Sequence, residues 1–339
     1  RQRQMCIRDS IYMEQSAVRD GVTAEEVKGI LLGMASGQET LLGYFRRFIR
    51  NFEKRVGINR TVGSLRAYSN AYSHIERFLQ AQYKLSDIPF SALDRSFIDK
   101  YDLYLRTERN LAPGTIINLT VQLKTIVGEA IADGIITASP FMGYEPVRPK
   151  HVQKYLTAEE LHRIMTTPLH RQPLYHVRDM FLFSCFTGIP YGDMRLLTKD
   201  NLCLAEDGIW WIKSARQKTK IEFEIPLLDL PLQILKKYSG TAPGDKLLPM
   251  YCNSTLNLYL KEIARICHID RPLVFHAGRH TYATEITLSH GVPLETVSRM
   301  LGHSQIETTQ IYAKVTDEKI DADTKALNRK ISERFSVVI

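Results

Sequence analysis

The residues of this chain able to do chemistry together are concentrated between His276 and Tyr312. His276, Arg279 and His280 form an H-x-x-R-H cluster, Leu301-Gly302-His303 follows, and Tyr312 comes nine positions after that last histidine. Side chains three and four apart share a helix face, so the cluster offers one cationic and two neutral donors to a single anion, a set suited to phosphate. Two histidines at this spacing can also hold zinc, but no glutamate lies between them as in H-E-x-x-H, and no metal is expected.

The elements that must position these groups are legible nearby. Gly291 closes the helix of the H-x-x-R cluster, and Pro293 opens the next, where Leu294, Val297 and Leu301 repeat at helical spacing. Gly302 ends that short helix, so His303 falls in a turn. Ser304 to Glu307 reads as an S-x-x-E capping box for a third helix carrying Tyr312. A turn histidine is thereby brought near a helix-borne phenol.

Earlier in the chain, apolar spacing predicts four helices: Glu39–Phe52, then one through Leu65, Tyr68, Tyr72, Ile75 and Leu79, one through Phe97, Tyr101 and Leu105, and one from Ile116 to Ala130. They make a small bundle over 38–138 whose first helix has a basic face of Arg46, Arg47 and Arg50. A short amphipathic helix is read at Ala24–Leu32. Residues 1–37 otherwise say little, and RQRQMCIRDS at the start is set aside as a sequence scar. Residues 139–154 hold Pro140, Pro146 and Pro149 among Arg148, Lys150, His151 and Lys154, an extended basic linker suited to crossing a DNA backbone.

A second domain spans 155–330. It begins with a capping box at Thr157–Glu160 and continues through a buried helix ending at Thr187-Gly188. Strands around a basic turn follow, with Lys218 and Lys220 in that turn or its flanks. The fold class is therefore mainly α with a small β-sheet.

Composition bounds the partners. The chain has 339 residues, a net charge of +8 and 44% apolar residues, enough for two ordinary cores and a polyanionic partner. Its five cysteines are odd in number and lack C-x-x-C spacing, which suits a reducing cytoplasm. No apolar run long enough for a membrane helix and no charged-then-apolar leader is read.

With H-x-x-R, LGH and Y-A-K at these spacings, the chain resembles the tyrosine recombinase (phage integrase) family, most nearly the integrases of conjugative and mobilisable transposons. The resemblance implies a SAM-like core-binding domain followed by a catalytic domain of the DNA breaking-rejoining fold. Tyr312 would attack a DNA phosphodiester, forming a 3′-phosphotyrosine and releasing a 5′-hydroxyl. A phenol with a pKa of about 10 needs cationic neighbours and a proton route for this. Arg279 would bind the non-bridging oxygens, and His276 and His303 would hydrogen-bond the phosphate and manage protons. His280 is expected to support the fold, with an indirect role in the site left open. Lys218, in register with Ile225-Pro226-Leu227, would protonate the leaving oxygen. Arg195 and Lys220, with the basic residues of the bundle and linker, would contact DNA.

The implied partners are double-stranded DNA, three further copies of the chain in a tetramer, and accessory DNA-bending proteins. No cofactor or membrane is implied. The family's T-G-x-R is here Thr187-Gly188-Ile189-Pro190, and proline cannot supply the first clamping arginine. Arg178, twelve residues upstream, is the favoured substitute over Arg195. Two alternatives stay open: an integrase-derived DNA-binding regulator and a type IB topoisomerase.

Overall fold

The computed structural model describes residues 39–148 and 155–312, with separate positions between 321 and 331. The expected helix over Ala24–Leu32 and the linker residues Pro149, Lys150, His151 and Lys154 lie outside the described residues. The chain divides into two compact units, Arg1–His151 and Val152–Ile339, each with its own apolar core. Among the described residues no helix is long and apolar enough to cross a membrane.

In the first unit, α1 (Leu41–Glu53), α2 (Val62–Phe78), α3 (Arg95–Thr107) and α4 (Pro113–Ala132) occupy the stretches of helical apolar spacing. Thr61 and Asp94 cap two of them by accepting from the N–H groups of Ser64 and Phe97 at 3.2 and 2.7 Å. At α1 the cap comes from far away in sequence. Asp87 accepts from the N–H groups of Leu42 and Gly43 at 2.8 and 3.0 Å, placing an anion where orphan donors and the helix dipole favour one. Phe78 sits in the core with the rings of Tyr83, Phe97, Tyr101 and Tyr104 between 5.1 and 5.6 Å away.

In the second unit, α5 (Ala158–Thr166) starts with the expected reciprocal box between Thr157 and Glu160. The helix α6 (Gln172–Thr187) is buried over most of its second half, where Met180, Phe181, Leu182 and Phe183 run consecutively through the core. A short α7 (Tyr191–Met194) then leads to an antiparallel sheet of β1 (Leu202–Leu204), β2 (Trp210–Ala215) and β3 (Glu222–Pro226) in that spatial order. Ile212 and Ile225 face each other across β2 and β3, both fully buried. Helices α8 (Asp229–Lys237), α9 (Asn253–Ile266) and α10 (Ala277–Thr281) pack on α6.

Two local expectations are corrected. The helix of the H-x-x-R cluster does not run evenly to Gly291: it widens into a π-turn over Tyr282–Thr287 and tightens at Leu288–His290. Thr287 drives part of this, its hydroxyl donating back to the carbonyls of Tyr282 and Ala283 at 3.0 and 2.8 Å. The Ser304 capping box is not formed either. After α11 (Leu294–Leu301) and Gly302 at φ +63°, Ile306 stands at the cap position of a four-residue α12 (Glu307–Gln310), and Tyr312 lies in the turn beyond it.

Candidate active site

Four segments of the second unit meet around one cavity of about 910 Å³: the start of α10, the turn between β2 and β3, the Gly302-His303 turn and the segment ending at Tyr312. Glycines make the approach possible. Gly188 ends α6 at φ +70°, and a Cβ there would lie 2.5 Å from the Tyr282 ring. A Cβ on Gly278 would lie 2.9 Å from Ser184 Oγ, so α10 rests directly on α6.

Arg279 is the hub. Only 3% exposed, it donates from Nη1 to the Gly188 carbonyl at 2.9 Å and from Nη2 to the Leu301 carbonyl at 2.7 Å and His303 Nε2 at 2.8 Å. Burial, and then the like charge of Arg216, push its pKa down to about 10, so it stays cationic at neutral pH. His303 is held neutral by burial and by both guanidinium groups, its pKa pushed down to about 4. Its other nitrogen lies 2.7 Å from Thr309 Oγ1.

Tyr312 is turned inward and 8% exposed. Its ring lies 5.1 Å from that of His280 and near-parallel to that of His303 at 6.3 Å. Burial raises its pKa, opposed by the charge of Arg279 and a hydrogen bond with it. His276 lines the same cavity, 4.8 Å from His280 ring to ring. His280 thus touches both Tyr312 and His276, a closer involvement than support of the fold. Lys218 lines the cavity from the hairpin turn, whereas Lys220 sits at its exposed flank at φ +61°.

Arg178 is not in this site, contrary to expectation. It donates to the Thr167 carbonyl at 3.2 Å, lies over the Tyr175 ring at 4.8 Å and faces Asp179 at 3.9 Å. The carbonyl, the ring and the carboxylate hold its guanidinium beside the start of α6 rather than at the turn that ends it. Arg195 points outward beside buried Met194, as expected.

Arg271 and Arg216 also line the cavity: Arg271 is held by Glu160 at 2.6 Å through both terminal nitrogens, whereas Arg216, directly after β2, stands beside Arg279. Arg216 Nη1 donates to the Leu301 carbonyl at 2.9 Å and its Nε lies 2.6 Å from Asp193 Oδ2. Asp193 is buried, and its other oxygen accepts from the Gln217 N–H at 2.9 Å. Arg216 was missed in the sequence, although it lies in the same basic turn as Lys218, two positions before it.

Elsewhere, Arg46, Arg47 and Arg50 are exposed on α1, Arg46 donating to Tyr72 Oη and Arg47 stacked on Tyr44 at 4.9 Å. Arg148 is exposed as well. Among the described residues no group of three or more His, Cys, Asp or Glu side chains is arranged to hold a metal ion.

Residues 154–319 match the phage integrase family and residues 40–146 the phage integrase SAM-like domain. Tyrosine recombinase XerD of Listeria monocytogenes serovar 1/2a is 26% identical over 273 residues, covering 76% of this chain and 89% of that protein. Tyrosine recombinase XerD of Staphylococcus saprophyticus is 26% identical over 297 residues, covering 83% and 96%. Among solved structures, the Tn1549 transposon integrase in complex with circular intermediate DNA aligns with a TM-score of 0.64 at 17% identity, covering 85% of this chain and all of that one. A lambda integrase tetramer bound to a Holliday junction aligns with a TM-score of 0.67 at 16% identity, covering 92% and 88%.

Proposed function

The chain belongs to the phage integrase family of tyrosine recombinases, and from that premise we propose that it cuts and rejoins double-stranded DNA at the recombination sites of a mobile element, with Tyr312 as the nucleophile. The observation that carries this reading is the enclosure of the Tyr312 ring in a cavity walled by Arg216, Arg279, His276, His303 and Lys218. Such a wall matches the demand of the reaction: cationic donors for a phosphodiester, a proton acceptor for the phenol, and a proton donor for the leaving oxygen.

In this mechanism the Tyr312 oxygen attacks phosphorus, the bond to the 5′-oxygen breaks, and a 3′-phosphotyrosine forms. Arg279 and Arg216 hold the non-bridging oxygens, Arg216 doing the work that Pro190 cannot. His276 donates to the phosphate, and Lys218 protonates the departing 5′-oxygen. Because the ester to tyrosine conserves the energy of the phosphodiester, resealing needs no nucleotide. The raised pKa of Tyr312 belongs to the DNA-free state. Activation follows when a bound phosphate recruits the guanidinium donors now satisfied by protein carbonyls.

Arg46, Arg47, Arg50, Arg148, Lys150, Lys154, Arg195 and Lys220 are the proposed contacts to the DNA backbone, with four copies assembling on two duplexes in the cytoplasm. The lambda integrase relative is a tetramer on a Holliday junction and the Tn1549 relative binds DNA, which supports that assembly. Arg216 beside Arg279 supports the enzyme over an inactive regulator.

A suicide DNA duplex nicked near the scissile phosphate tests the proposal. The wild type leaves a protein–DNA adduct on a denaturing gel and Tyr312→Phe leaves none. Tight binding to the element's ends without any adduct from the wild type would end this reading. Plasmid relaxation without site preference and without recombination would point to a topoisomerase instead.

A further inference from the structure

We propose that Thr309 is a positioning residue that accepts the Nδ1 proton of His303 and so holds the ring in the tautomer that Arg279 requires, with its lone pair at Nε2 facing the phosphate site. The proposal deepens the recombinase reading and rests on it for its catalytic consequence.

The hydrogen-bond inventory forces the assignment. His303 Nε2 lies 2.8 Å from Arg279 Nη2, and His303 Nδ1 lies 2.7 Å from Thr309 Oγ1. A guanidinium has donors and no acceptor, so Nε2 must offer a lone pair. A neutral imidazole carries one N–H, which is therefore on Nδ1, and the Thr309 hydroxyl accepts it. Rotating the ring by half a turn would set C–H groups against both polar partners, so its orientation is settled as well. Burial and the two neighbouring guanidinium groups keep the ring neutral.

Thr309 is suited to this task by its place. It is fully buried, so solvent does not substitute for its oxygen. It also belongs to the segment that carries the nucleophile: the Tyr312 N–H donates to the Thr309 carbonyl at 3.0 Å. The hydroxyl that orients the histidine and the turn that seats the tyrosine therefore move as one piece.

The consequence for the reaction balances as follows. The bound phosphate draws the Arg279 N–H from His303 Nε2 to its own oxygen; as the bond from Tyr312 Oη to phosphorus forms, the phenolic proton goes to the freed Nε2, giving an imidazolium with one N–H toward Thr309 and one toward a phosphate oxygen. The bond from phosphorus to the 5′-oxygen breaks, and that oxygen takes its proton from Lys218. The incoming phosphate offsets the two guanidinium charges that keep His303 neutral beforehand.

The test uses the full chain labelled with ¹⁵N-histidine. Long-range ¹H–¹⁵N correlation, with His303 assigned by loss of its signals in His303→Gln, is expected to show Nδ1 protonated and Nε2 bearing the lone pair. In Thr309→Val the Nδ1–H should lose the shift of a hydrogen-bonded proton, and Thr309→Ser should restore it. On the nicked duplex, Thr309→Val should slow adduct formation about ten- to a hundred-fold, the effect of one unpartnered buried donor, while DNA affinity stays at the wild-type level. Thr309→Ser should restore the rate. A wild-type ring protonated at Nε2, a valine variant as fast as wild type, or a serine variant as slow as valine overturns the proposal. A wild type with the expected nitrogen signals but no adduct would sustain the assignment and overturn the recombinase reading.

Discussion

Arg216 and Arg279 donate to the same acceptor, the carbonyl oxygen of Leu301, from 2.9 and 2.7 Å. Two guanidinium groups are thereby held side by side with Asp193 as the buried counter-ion at 2.6 Å from Arg216. Like charges so close repel, and the repulsion is relieved by an anion placed between their free donors. The DNA-free site is in this sense charged for a phosphate.

If Arg216 supplies the second clamp, Arg216→Ala should lower the yield of covalent adduct by about 10² to 10³, the loss expected for one preorganised donor. Arg216→Lys should recover only part, because an ammonium lacks the planar fork. Arg178→Ala should cut at the wild-type rate. Quantifying adduct on the nicked duplex decides the matter, and an Arg178 variant that fails while the Arg216 variant cuts normally would reverse the assignment.

Asp193→Asn leaves the Arg216 charge buried beside Arg279 without its partner. Breaking a buried pair in this way costs about 3–5 kcal/mol, read as a lower urea midpoint. Sulfate should restore the variant more than it stabilises the wild type, since it occupies the place of the missing charge. Equal responses to sulfate would show that the cavity does not gather anions.

The pH response follows from His303. Its folded pKa of about 4 lies below its ordinary 6.5, so between those values the unfolded chain binds a proton that the folded chain does not. Stability contributed by the neutral ring is intact above 6.5 and declines as the pH falls toward 4. Urea midpoints measured across that window should fall less steeply for His303→Gln than for the wild type; identical slopes would place the titration elsewhere.

Gly188→Ala should destabilise the second unit, because the new methyl meets the Tyr282 ring at 2.5 Å in a backbone at φ +70°. Overpacking of this kind costs about 1–3 kcal/mol, and the left-handed backbone adds about 1 kcal/mol. A thermal unfolding midpoint equal to wild type would show that the turn has room to yield.

Much of this organisation was readable before the fold. Helical apolar spacing located α1 to α4, Thr157 and Glu160 marked a helix start, and Gly291 and Gly302 marked ends, because each of these signals acts within a few residues. Local signals failed where another partner or a shifted start took precedence. The cap of α1 comes from Asp87, the Ser304 box gives way to a short helix beginning after Ile306, and Arg178 is taken by a carbonyl, a ring and a carboxylate near its own helix start.

What the order of amino acids determined by itself is the inventory and its local spacing: a tyrosine, an H-x-x-R-H cluster and a turn histidine whose family pattern survives in any list of residues. What only the tertiary structure decided is which second cation stands beside Arg279. Arg216 reaches the cavity because β2 and β3 bring their turn against Gly302, and Asp193 holds its charge there. Neither contact has a periodicity to announce it, since both depend on the packing of segments far apart in the chain.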